Sequence, residues 1–154
     1  MARSARTKIN PAVFLAGDRQ AIEHALPGPL APIASAIVTS RAMLDLPDDW
    51  DGEGSPGYRE DTWLHAVGFL VDNALGLLEE HGETIPMPKV RKGPMGSIDL
   101  HWRESDRELL VNIPAQEGAA ADYYGDDRAG GHTVKGTLDP AEDNMWLLMW
   151  LTRR

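Results

Sequence analysis

Between Gly82 and Ile98 the chain changes its hydrophobic period, and that change fixes the class of fold. Before it, Trp63, Val67, Leu70, Ala74 and Leu77, joined by Ala66, Leu75 and Leu78, recur at the spacing of one helix face. After it, Ile98, Leu100 and Trp102 alternate with Asp99, His101 and Arg103. Leu109, Val111 and Ile113 likewise alternate with Leu110 and Asn112, the spacing of strands with one buried face. Helices followed by an antiparallel hairpin make an α+β protein. Glu104, Ser105 and Asp106 supply the turn of that hairpin, and two more short strands are expected at residues 121–124 and 133–138, joined by the Gly- and Asp-rich residues 125–131. The expected architecture is two or three N-terminal helices and a C-terminal helix packed on a small antiparallel sheet of about four strands.

Proline, glycine and capping residues divide the rest. Asn10-Pro11 and Asp18 offer helix starts for a short apolar face of Ile22, Ala25 and Leu26, which Pro27-Gly28-Pro29 ends. From Pro32, the residues Ile33, Ala36, Ile37, Ser40, Met43 and Leu44 repeat at helical spacing as far as Pro47. The long helix is expected to take Ser55 as N-cap and Pro56 in its first turn, with Glu60 and Asp61 at the positive end of its dipole and His81-Gly82 at its close. Its other side, with His65, Gly68, Asp72, Gly76 and Glu79, reads as a solvated stripe. His65 and Asp72 lie two turns apart, ~10 Å of rise, too far to share one ion.

Residues 85–96, with Pro86, Pro88, Pro94 and the bases Lys89, Arg91 and Lys92, read as an extended connector able to meet an acidic surface of this chain or of a partner. Asp139-Pro140-Ala141-Glu142 has the order of an N-cap, a first-turn proline and an acid, so the last helix is expected to begin there. Met145 and Leu151 bound an unbroken apolar run that must be covered on more than one side, by the core or by a second copy of the chain in a homo-oligomer.

The most distinctive stretch is Leu-Pro-Asp-Asp-Trp-Asp-Gly-Glu-Gly-Ser-Pro at residues 46–56. Asp51-Gly52 and Glu53-Gly54 each place a carboxylate before a residue free to take positive φ, so the chain reverses here. Trp50, the one large apolar residue in the loop, is expected to plug between the flanking helices. These pieces resemble a scattered set of small bacterial and phage proteins without an established activity. The likeness lies in the Trp50-Asp51-Gly52-Glu53-Gly54-Ser55 turn, an amphipathic helix after Tyr58, the link at Pro86 and Pro88, and the strand Gly96-Ser97-Ile98-Asp99-Leu100-His101-Trp102. It spans roughly residues 44–114, with a weaker echo in the closing Leu-Leu-x-Trp-Leu. The resemblance implies the α+β fold and carries no functional residues with it.

Length and composition narrow the function. At 154 residues the chain makes one domain, expected over residues 11–154 behind a flexible basic arm at residues 1–10 that carries Arg3, Arg6 and Lys8. A formal charge of −9 opposes direct nucleic-acid binding, which needs bases to displace counterions from phosphates. Without cysteine there is no disulfide, thiolate metal site or cysteine nucleophile, which fits a reducing cytoplasm. The apolar stretch after the arm is shorter than a signal sequence or a membrane span, so the expected location is cytoplasmic, away from membranes.

Three readings of the chemistry follow. The expected one is a non-catalytic binding or regulatory protein, of an accessory, inhibitor or antitoxin-like kind such as a phage or mobile element carries. Its acidic-aromatic surface would include Trp50, Asp51, Glu53, Tyr58, His101 and Arg103, its partner would be another protein, and it would need no cofactor. Between Asp45 and Asp61 the acids Asp45, Asp48, Asp49, Asp51, Glu53, Glu60 and Asp61 face one base, Arg59, with Trp50 and Tyr58 interleaved.

A second reading places Asp49, Asp51, Glu53, Gly54 and Glu60 at positions 1, 3, 5, 6 and 12 of an EF-hand-like Ca²⁺ loop. Glu at position 5, Pro56 at position 8, Pro47 before the loop and the lack of a second loop oppose it. A third is a small hydrolase using His101 beside Asp99, near Arg103, Asn112 and Tyr124, with no nucleophile visibly placed. His24, His65, His81, His101 and His132 are too scattered for zinc, and Gly130-Gly131 lacks the strand-to-helix setting of a phosphate loop.

Overall fold

The computed structural model describes residues 9–153. The bases of the expected arm, Arg3, Arg6 and Lys8, lie outside these. Its last two residues already belong to the domain: Ile9 packs on the core, and Asn10 Oδ1 accepts the Ala12 N–H at 3.0 Å. Two short helices follow, α1 (Ala12–Ala16) and α2 (Arg19–Ala25), the second capped by Asp18, whose carboxylate accepts the Gln20 N–H at 3.0 Å. Next come α3 (Ala31–Ser40), a 3₁₀ turn at Arg41–Asp45, and α4 (Glu60–His81).

Five strands form one antiparallel meander, in sheet order β1 to β5: β1 (Lys89–Lys92), β2 (Ile98–Arg103), β3 (Arg107–Ile113), β4 (Ala121–Asp127) and β5 (His132–Leu138). The last element is α5 (Met145–Thr152). The α+β class is as expected, with five strands instead of four. The extra one is β1, from the segment read as a connector. Three of its four residues are basic and only Val90 is apolar, so it carries no alternation to read.

The helices cover one face of the sheet. α3 lies against β1, α4 against β2 and β3, and α5 against α4 and β3. Ile98, Leu100, Trp102, Leu109, Val111 and Ile113 point into this layer and are fully buried, opposite Trp63, Phe69, Leu70 and Leu77 of α4. Each such side chain contributes roughly 1.5–3 kcal/mol by leaving water. The Trp63 indole N–H donates to Ser40 Oγ at 2.9 Å, which satisfies its one polar atom inside the core and ties α4 to α3.

Both expected N-caps serve elsewhere. α4 begins at Glu60, not at Ser55, because the Ser55 hydroxyl donates to Asp51 and Gly57 passes so near the Leu46 carbonyl that a Cβ would lie 2.7 Å from it. α5 begins at Met145, not near Pro140. Asp139 Oδ1 accepts the Ala141 N–H at 2.9 Å, and Asn144 Nδ2 donates to the carbonyls of Asp139 and Glu142, so residues 139–144 fold as a compact turn.

Met145, Leu147, Leu148 and Leu151 are buried within the domain, and Trp146 is left half exposed against the edge of Tyr123. Trp150 lies across Gly125, where a Cβ would come within 2.7 Å of the indole. Arg107 closes the helix by donating to the Trp150 and Arg153 carbonyls, where the negative end of the helix dipole favours a cation. Among the described residues no helix is long and apolar enough to cross a membrane.

Asn73 links α4 to α5. It is fully buried, donates to the Phe69 carbonyl at 2.8 Å and accepts the Asn144 N–H at 2.9 Å. Asn73→Leu strands that N–H without a partner, which costs about 1–3 kcal/mol. Urea denaturation should show the midpoint falling with the slope unchanged; an unaltered midpoint would mean the bond contributes nothing.

Candidate functional site: the acidic turn and the β1–β2 tip

The acidic turn is held by its own aspartates. Asp49 Oδ1 accepts the Gly54 N–H at 2.7 Å, Asp51 Oδ1 the Glu53 N–H at 2.9 Å, and Asp48 Oδ1 the Gly57 N–H at 2.8 Å. A backbone bond from Asp49 N–H to the Ser55 carbonyl, at 2.7 Å, closes the loop. Gly52 and Gly54 take φ of 73° and 83°, as their place after a carboxylate suggests, and Asp49 itself takes φ of 60°.

Trp50 packs against the core, which ties the turn to it as expected. It stays half-buried at the core edge, its indole N–H donating to the Pro56 carbonyl at 3.1 Å and its ring lying 6.3 Å from that of Tyr58. The Lys92 ammonium sits 4.5 Å from the Trp50 ring centre. One of the bases read as a possible contact for acidic surface thus meets this chain's own turn.

The hairpin tip between β1 and β2 completes the site. Tyr58 Oη donates to the Gly93 carbonyl at 3.0 Å. Gly93 rests on a polar cluster in which Asn112 Nδ2 donates to Ser97 Oγ at 2.9 Å and to Asp99 Oδ1 at 2.7 Å, and a Cβ at Gly93 would lie 2.5 Å from Ser97 Oγ. Met95, at the tip, takes φ of 58° and is 85% exposed. A Cβ at the next residue, Gly96, would lie 3.5 Å from the Pro56 ring, so tip and turn are in contact. Asp49 and Met95 are the only non-glycine residues with positive φ among those described.

Of the expected surface residues, Trp50, Asp51, Glu53 and Tyr58 come together, although Tyr58 is buried beneath the surface and Trp50 half-covered. His101 and Arg103 are elsewhere, on the outer face of β2 and towards its far end, with Arg103 ~17 Å along the strand from Ile98. The carboxylate that meets His101 is not Asp99, which bonds Asn112. It is Glu108, diagonally across the hairpin, with Oε2 2.5 Å from His101 Nε2. Arg128 lies 3.4 Å from the other oxygen of Glu108. Imidazole, carboxylate and guanidinium are therefore joined to one another on an open strand face. Sequence reasoning missed Gly93 and Met95, for which a Pro-Met-Gly tip after a basic strand is the only local signal.

The EF-hand count does not give a cation cage. Asp49 and Asp51 turn oxygens onto backbone N–H groups of their own loop, and both oxygens of Asp51 are engaged there. Among the described residues, no group of three or more His, Asp or Glu is placed to hold a metal ion. The chain matches none of the protein families, curated proteins or solved structures with which it was compared.

Hydrogen bonds from the Ser55 hydroxyl, and then from the Glu53 N–H, hold the Asp51 carboxyl below its ordinary 3.8. The bond to His101 holds Glu108 below its ordinary 4.5. A carboxyl whose pKa is depressed in the folded protein stabilises it above the unfolded value, and that contribution is lost as pH falls through the folded value. Stability should therefore decline as pH drops below about 4.5, and Asp51→Asn should make the decline shallower in pH-dependent denaturation. An identical acid slope in the variant would show that the turn is not held by this carboxylate. Calcium should leave the thermal midpoint unmoved, because the loop is already satisfied; a clear rise would restore the ion-binding reading.

Proposed function

We propose that the protein is a non-catalytic binding protein of the cytoplasm, with an accessory or inhibitory role, that engages a basic segment of another protein through the acidic turn and the adjoining methionine tip. The observation that carries this reading is the pairing of the two left-handed residues, Asp49 and Met95, in two loops lashed together at one end of the molecule. Backbone strain of this kind persists where the surroundings impose it, and it gathers at recognition sites.

The shape is set before a partner arrives, so binding costs little ordering of the loop. Glu53, Asp45 and Glu60 face solvent around it, giving the field that steers a cationic partner. Met95 supplies an unbranched, polarizable side chain that adapts to an apolar residue on the other side.

The test is capture from a lysate of the native host with the wild-type chain and with a Glu53→Lys/Met95→Asp variant of unchanged melting temperature. A basic protein retained by the wild type, released as salt is raised and lost in the variant is the expected result. The same proteins held equally by both would overturn the assignment.

A further inference from the structure

His65, Gly68 and Asp72, part of the solvated stripe of α4, border two concavities. One, of about 490 Å³, lies between α4, residues 114–119 of the β3–β4 loop and the turn at residues 139–141. The other, of about 360 Å³, lies between α4 and the start of the domain at Ile9, Pro11 and Phe14. Leu64, His65, Gly68 and Asp72 line both. Volumes of this order suit a small organic ligand.

Gly68 is the informative residue. A glycine inside a helix weakens it relative to alanine, yet a Cβ at Gly68 would meet nothing within 4 Å, so packing does not demand it. What a side chain there would do is enter the open space beside α4 on which both hollows border.

The lining states the chemistry of the occupant. Leu64, Pro114 and Pro140, each half-buried, form an apolar floor in the larger hollow, backed from the core by Phe69 and Ile113. The charged residues along the two hollows, Asp61, Asp72, Glu117 and Asp139, are all acids, with His65 among them. An apolar floor is poor coordination for a bare metal ion, and carboxylates on the rim repel a carboxylate or a phosphate. We propose that this groove is a second binding site, independent of the acidic turn, for an organic cation: a primary amine on a hydrocarbon body, with the body on the floor and the ammonium among the carboxylates.

Octylamine, octanoate and octanol, each below its aggregation threshold, share one chain and differ in head-group charge. Titrated into ¹⁵N-labelled protein, octylamine should shift the Gly68, Gly118 and Ala119 amides saturably at millimolar concentration, with octanoate and octanol at least several-fold weaker. Gly68→Leu should abolish the shifts, Glu117→Gln should weaken octylamine several-fold, and Gly68→Ala should raise the melting temperature while retaining binding. Glu117 is exposed on a loop, so its variant decides the matter even where Gly68→Leu does not fold. Octanoate or octanol binding as tightly as octylamine, unchanged affinity in Gly68→Leu or Glu117→Gln, or no saturation at all would overturn the proposal. None of these outcomes bears on the acidic turn.

Discussion

The hydroxyl of Tyr58 donating to the carbonyl of Gly93 is the bond on which the joint shape of the acidic turn and the β1–β2 tip depends. It joins the residue that leads into α4 to the tip of the β1–β2 hairpin, two segments 35 positions apart in the chain. Around it the Trp50 ring, the Lys92 ammonium and the Pro56 carbonyl close ranks, so the turn at residues 46–56 is fixed from the sheet side as well as by its own aspartates. Burial, and then the nearby Asp99 and Asp51 charges, push the Tyr58 phenol above its ordinary 10.0, so it remains protonated and able to donate across the neutral range.

The division of labour within the fold follows from where the apolar residues lie. α4 and the hairpin of β2 and β3 are the load of the core, and their periods of 3.6 and 2 are written plainly in the sequence. The ends of the elements are not, because capping residues are ambiguous until their partners are known. Ser55 has the right chemistry to start a helix and spends it on Asp51, while Asp139 caps a turn six residues before α5 begins. β1 escaped because three bases on a four-residue strand look like a solvated linker.

The site was half visible. The acidic composition of the turn and the positive φ of Gly52 and Gly54 follow from residue types alone, but the positions of Lys92 over Trp50 and of Gly96 against Pro56 are long-range facts that no local pattern encodes. The partner of His101 shows the same limit. Nearness in sequence favoured Asp99, whereas the register of β2 on β3 delivers Glu108 on the diagonal, where long side chains meet. The polar stripe on α4 is solvent-exposed at His65, Asp72 and Glu79, as its pattern suggests, but the hollows beside it were not legible, because their other walls come from residues 9–14 and from the loops after β3 and β5.

The central claim is that residues 49–57 keep one shape without a partner, and backbone ¹⁵N relaxation of the free protein measures this directly. Order parameters of about 0.85 through Asp51, Gly54 and Gly57, level with those of α4, are what the hydrogen bonds require. Values below about 0.6 at these residues would show a flexible loop and contradict a pre-shaped recognition surface.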